Sequence, residues 1–168
     1  MVDGETVIAT FEVGEWNGPD VSFGTTKIGS NFFFAMSDGT HGRELWKSDG
    51  TASGTVMVKD ICSGCSNYAI SLTAVGNTLY FRASDDINGA ELWKSDGTYS
   101  GTSLVKDIVA GSSDGGVINM VEFDDELYFI AYSMPPGTFG TQGTEVWRSD
   151  GSDSGTVRIS GSCLLYTS

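Results

Sequence analysis

The octapeptide ELWKSDGT stands twice in this chain, at Glu44–Thr51 and Glu91–Thr98, and an imperfect copy, EVWRSDGS, stands at Glu145–Ser152. Internal repetition constrains a fold strongly, because each copy must form the same supersecondary unit and bury its apolar face against its neighbours. The copies sit in a fourteen-residue frame: Gly42–Thr55, Gly89–Thr102 and Gly143–Thr156. Nine positions are identical in all three, reading G-x-E-x-W-x-S-D-G-x-x-S-G-T. Upstream, NTLYFRA (Asn77–Ala83) matches DELYFIA (Asp125–Ala131) and, more loosely, SNFFFAM (Ser30–Met36). Downstream, MVKDI (Met57–Ile61) matches LVKDI (Leu104–Ile108). The chain therefore divides into units of about 1–61, 62–108 and 109–161. The wider second spacing comes from an insertion rich in Pro and Gly, YSMPPGTFGT (Tyr132–Thr141), which reads as a loop.

Each unit offers four short strands. In the middle unit these are Leu72–Val75, Leu79–Ala83, Glu91–Ser95 and Thr102–Ile108. No stretch carries the i, i+3, i+4, i+7 apolar spacing of an amphipathic helix, so the chain is all-β. LYF and LW set apolar side chains on both faces of a strand, because neighbours along a strand point opposite ways. A sheet with one wet face would alternate instead. Sheets covered on both faces, four strands to a unit, predict a β-propeller-like array of about three four-stranded blades.

Placing Asp49 opposite Gly54 gives a register for the motif hairpin. It sets Leu45 against Val58, Trp46 against Met57 and Glu44 against Lys59. The middle unit repeats this as Leu92 with Val105, Trp93 with Leu104 and Glu91 with Lys106. Apolar meets apolar and acid meets base, as cross-strand pairing favours. In the third unit Val146 faces Ile159 and Trp147 faces Arg158, but Glu145 meets Ser160 and loses its cation. The Glu–Lys pairs are read as ion pairs that fix register, since a catalytic pair is needed once and not in every unit.

The charge balance, 22 Asp+Glu against 9 Lys+Arg and a formal charge of −13, excludes nucleic acid as a partner, because the field repels phosphates. No apolar run approaches the roughly 20 residues of a membrane helix, so no membrane span is expected. Residues 1–20 have neither a basic stretch nor an apolar core, so no signal peptide is read there. Cys62 and Cys65 form CSGC; with His41 as the single histidine, a four-ligand zinc site is not assembled. A local disulfide between Cys62 and Cys65, or two free thiols, is the reading that remains.

The Ser-Asp-Gly turn admits two readings. Asp49, Asp96 and Asp150, with Thr51, Thr98 and backbone carbonyls, could hold calcium, which favours hard oxygen ligands. Alternatively each carboxylate caps its own turn while Gly supplies a positive φ. A calcium loop gathers several carboxylates, whereas each turn here holds one (two with Asp153), which favours the capping reading. No cofactor is otherwise implied. Trp46, Trp93 and Trp147 could form a platform for sugars, but they lie mid-strand between apolar neighbours and are expected in the core. No nucleophile elbow, phosphate loop or metal helix is present. Recognition would then ride on the segments that break the repeat: Cys62–Tyr68, Ser84–Gly89 and Tyr132–Thr141. The candidate binding residues are Trp16, Tyr68, Asp85, Asp86 and Phe139.

The frame G-x-E-[LV]-W-[KR]-S-D-G-[TS]-x-S-G-T followed by LVKDI resembles the ELWxxDGT repeat family, over about Asp3 to Ser160. The turn is also similar to the sialidase Asp-box, S-x-D-x-G-x-T-W, with different spacing. The family resemblance implies a secreted or cell-surface protein of propeller type, located extracellularly, with further repeats of the same parent chain. VDGETVIATFEV at the start reads as the strand that follows an SDGT turn. SCLLYTS (Ser162–Ser168) fits no unit and resembles a translated sequencing adaptor, which would make Cys163 non-native. The expectation is an arc cut from a larger ring. Its function would be a non-enzymatic scaffold or recognition module for protein or glycan. The alternatives are the propeller portion of a secreted hydrolase or lyase, and a calcium-stabilised adhesion repeat.

Overall fold

A computed structural model describes residues 24–62, 70–85, 87–133 and 143–159. The expected strand at the start, the 162–168 tail and Cys163 lie outside these residues. Twelve strands form three antiparallel four-stranded sheets, with no helix among the described residues. The first blade is β1 (Thr26–Ile28), β2 (Asn31–Ser37), β3 (Arg43–Ser48) and β4 (Val56–Lys59). The second is β5 (Ile70–Val75), β6 (Thr78–Asp85), β7 (Gly89–Ser95) and β8 (Ser103–Lys106). The third is β9 (Ile118–Phe123), β10 (Glu126–Ser133), β11 (Gly143–Ser149) and β12 (Val157–Arg158). Every sheet is a plain meander, its strands hydrogen-bonded in chain order. The expected all-β, propeller-like array is what the chain forms.

Face-to-face packing of successive blades makes the core. Phe33, Leu45 and Val58 of the first blade meet Leu79, Phe81, Ala83 and Trp93 of the second. Tyr80, Leu92 and Val105 on the second blade's other face meet Leu127, Phe129 and Ala131 of the third. Adjacent residues such as Tyr80 and Phe81, exposed by 4% and 0%, thus serve two different interfaces. That is why LYF is apolar throughout: alternate side chains face alternate neighbours.

The register of the motif hairpin is half as expected. Trp46 pairs with Met57 and Trp93 with Leu104, but Leu45 pairs with Lys59 and Leu92 with Lys106. A β-bulge between Leu45 and Trp46, repeated between Leu92 and Trp93, inserts the extra residue. It also overturns the Glu44–Lys59 and Glu91–Lys106 ion pairs, because the lysines are carried away from the glutamates. In the third blade Trp147 pairs with Arg158 as expected, and Ile159 N donates to Val146 O at 2.9 Å. Glu145 does not lose its cation: Arg158 Nε lies 3.3 Å from Glu145 Oε2. Ser160 lies outside the described residues. Other bulges recur at Ser71 and Asn119, which take φ of 60° and 52° at equivalent places in β5 and β9.

Candidate functional site

In a meander, the first and third connections share one end of the sheet, while the second connection and the link to the next blade share the other. The three S-D-G turns (β3–β4, β7–β8, β11–β12) therefore line one end. The strand ends joined by the β2–β3, β6–β7 and β10–β11 connections lie at the opposite end.

At the turn end each aspartate caps its own turn through Oδ1. Asp49 Oδ1 accepts from Thr51 N at 2.9 Å and from Thr51 Oγ1 at 2.7 Å. Thr51 Oγ1 accepts from Gly54 N at 2.9 Å, and Thr55 Oγ1 donates to Thr51 O at 2.7 Å. Ser48 Oγ accepts from Gly50 N at 3.0 Å and meets Thr55 Oγ1 at 2.7 Å. The same bonds recur in the second and third blades. The two glycines have separate causes. Gly50, Gly97 and Gly151 take φ of 93°, 86° and 88°, which L side chains resist. Gly54, Gly101 and Gly155 lie against the Asp carboxylate, which a Cβ there would overlap. The hydroxyl and amide bonds hold the Asp49, Asp96 and Asp150 carboxyls below the usual aspartate value. The capping reading thus accounts for all three aspartates proposed as calcium candidates, and no group of three metal-ligating side chains occurs among the described residues.

The tryptophans belong to the core and not to a platform. Trp93 is buried, and Trp147 stacks on Phe129 with ring centroids 6.3 Å apart. The indole Nε1 atoms of Trp46, Trp93 and Trp147 are all buried without a hydrogen-bond partner among the described residues.

Glu44 and Glu91 are buried where a salt bridge was expected, and their partners are backbone amides. Glu44 Oε2 accepts from Ile61 N at 3.0 Å, and Glu91 Oε2 accepts from Ile108 N at 3.0 Å. Each carboxylate thus ties the middle of its blade to the segment leaving its last strand. Burial pushes the Glu44 carboxyl up to about 7 and the Glu91 carboxyl up to about 8, against the pull of those amides. Asp107 and Asp114 add to the rise at Glu91. Gly115 packs on the Glu91 carboxylate, with no room for a Cβ.

At the loop end, the β6–β7 loop and the link after β8 pack together. Asp114 Oδ1 accepts from Ala90 N at 2.9 Å and Asp114 Oδ2 pairs with Arg82 at 3.1 Å. Asp85, a candidate binding residue, is taken up in its own loop: Oδ1 accepts from Ile87 N at 2.9 Å and from Asn88 N at 2.6 Å. Asp38 does the same in the first blade for Thr40 N, and it pairs with His41 Nδ1 at 2.6 Å. The amide and imidazole donors lower the Asp38 carboxyl to about 2, and Asp38 raises the His41 imidazole. Ile87, 71% exposed, is the apolar side chain this loop offers to solvent. Trp16, Tyr68, Asp86 and Phe139 lie outside the described residues. Cys62 is disulfide-bonded, and Cys65 lies outside the described residues.

Sequence reasoning passed over Lys47 and Lys94 and gave Lys59 and Lys106 the wrong partners. Lys47 Nζ donates to Gly97 O at 2.7 Å and Lys59 Nζ to Thr102 O at 2.8 Å, both reaching from the first blade to the second. Lys94 Nζ donates to Gly151 O at 2.8 Å and Lys106 Nζ to Asp153 O at 3.1 Å, reaching to the third. The available signal was the recurrence of Lys at two fixed places in the repeat.

No protein-family model matches the chain, and no curated protein matches it either. Among solved structures, the fold is similar to an alpha-L-arabinofuranosidase from Clostridium thermocellum, with 15% identity and a TM-score of 0.38. The match covers 80% of this chain, which spans about half, 49%, of that one.

Proposed function

We propose that this chain is a non-enzymatic β-propeller repeat module of the ELWxxDGT type. It acts outside the cell or at its surface as a scaffold that recognises protein or glycan through the loop end of its blades. One observation carries this reading: the side chains of the repeated motif are engaged within the fold. The aspartates cap turns, Glu44 and Glu91 hold backbone amides while Glu145 pairs with Arg158, the tryptophans fill the core and the lysines tie blade to blade. The longer segments that vary from unit to unit join the strands at the opposite end, the arrangement by which a rigid repeat scaffold presents recognition loops.

A loop exchange tests it. Residues 85–89 (DDING) are replaced by the five residues of 38–42 (DGTHG), which keep the capping Asp and the closing Gly. Parent and variant are then compared on a glycan array and against extracellular matrix proteins. Binding by the parent that the exchange weakens, with an unchanged melting temperature, supports the reading. Binding that survives the exchange but is lost on substituting Tyr99 at the turn end overturns the placement. Turnover of a glycan would favour the hydrolase alternative.

A further inference from the structure

Between the last strand of the second blade and the first of the third, the link runs across the loop end. There Gly115 N donates to Ala90 O at 3.0 Å, and Gly115 O accepts from Tyr132 N at 2.8 Å. One residue of the link thus bridges the start of β7 and the end of β10, strands of two different blades. Beside it Asp114 holds Ala90 N and Arg82. Val117, 0% exposed, anchors the far side in the core between the blades. The fit is close. A Cβ on Gly116 would stand 2.5 Å from the Tyr132 ring, and one on Gly89 would stand 2.5 Å from Ser113 O.

Glu91, 0% exposed, lies beneath this segment, with Gly115 directly against its carboxyl group. Its hydrogen-bond donors are Ile108 N and Val109 N. Burial, then Asp107 and Asp114 on the link, push the carboxyl up to about 8 against the pull of those amides. The cations of the neighbouring strands are turned elsewhere: Arg82 on β6 to Asp114, and Lys106 on β8 to Asp153. Asp85 is bonded to amides of its own loop, and β10 contributes Tyr132. Ionised, Glu91 would be a buried charge between two acidic neighbours, compensated by amides alone. Moving Gly115 outward admits water to it, and only two backbone bonds and the contacts of the exposed Asp114 need part. The third blade has no such conflict, since Glu145 meets Arg158 at 3.3 Å.

We propose that Ser113–Gly116 is a pH-responsive strap, closed over protonated Glu91 and lifted from Ala90 and Tyr132 when Glu91 ionises. Val117 stays in the core as its anchor. Because Gly89 closes the β6–β7 loop against Ser113, lifting the strap also frees the base of that loop. That this freedom alters recognition rests on the reading of the loop end given above; the strap's own movement does not.

Amide hydrogen exchange on the full chain, read residue by residue by NMR and corrected for intrinsic rates, tests this. Between pH 6 and pH 9, protection at Gly115 and Tyr132 is expected to fall at least about tenfold more than at Phe81, in the middle of β6. Glu91→Gln keeps the shape and cannot ionise, so it should abolish the difference. Asp107→Asn removes a like charge and leaves Glu91 in place, so it should move the transition to lower pH. Circular dichroism checks folding; should the first variant unfold, the second reads the same charge. Equal losses at all three amides, a difference that persists in Glu91→Gln, or a transition unmoved by Asp107→Asn overturns the proposal. Failure to find any binding partner would leave these exchange rates as they are, so the two readings fail separately.

Discussion

Lys94 Nζ donates a 2.8 Å hydrogen bond to the carbonyl oxygen of Gly151, joining the second blade to the turn of the third. Lys47 makes the equivalent bond to Gly97 one blade earlier. Gly97 and Gly151 are both buried, so these carbonyls have little recourse to water if the ammonium is removed. Lys94→Met keeps most of the stem and removes the donor. The expected cost is about 1.5–3 kcal/mol, the usual worth of a hydrogen bond to a charged group. Urea denaturation measures it, and a loss within error of zero would show that the lysine only decorates the interface.

The second glycine of the motif is a packing requirement. Gly101 lies against the Asp96 carboxylate, so Gly101→Ala must push the aspartate off Thr98 N and Thr98 Oγ1. A loss of about 1–3 kcal/mol is expected, as for overpacking elsewhere. Combining it with Asp96→Ala should cost less than the sum of the single changes, since the second substitution removes the carboxylate that the added methyl group would strike. Full additivity in thermal melts would break the link between the two positions.

The buried glutamates set a pH dependence. Glu44 and Glu91 have folded-state pKa values of about 7 and about 8, above the ordinary 4.5. On raising the pH, the unfolded chain releases these protons first. Their contribution to stability is therefore fully present below about 4.5 and is lost as the pH rises through 7 and 8. The capping aspartates act oppositely: their lowered pKa values add stability above about 3.8 that is lost in acid. The unfolding free energy from urea denaturation is expected to be highest near pH 5 and to fall by pH 8.5, by at least about 1 kcal/mol. Glu91→Gln should flatten that fall. An unfolding free energy that rises between pH 5 and pH 8.5 would contradict the assignment.

Much of this was legible from the residues, and the misses share one cause. The strands, the blade count and the Asp cap followed from period, turn chemistry and repetition. Trp46 opposite Met57 followed from counting across the turn. Leu45 opposite Val58 did not, because the bulge one residue further adds a position that pairing rules do not foresee. With it went the Glu44–Lys59 pair: charge complementarity across a hairpin was read correctly as chemistry and wrongly as geometry. Glu44 turns to the amide of Ile61, and Lys59 to a carbonyl 43 residues away. A contact between blades leaves only periodic recurrence in the sequence, and recurrence does not name the partner.

The octapeptide builds a hairpin whose aspartates cap the turn. Thermal melting of the whole chain in millimolar calcium and in excess chelator tests it most directly. Turn-capping aspartates predict the same midpoint in both, and an unchanged one after Asp49→Asn in the exposed turn of the first blade once the cap's own loss is subtracted. A midpoint several degrees higher in calcium, abolished by that substitution, would show that the turn is a cation site and would contradict the account.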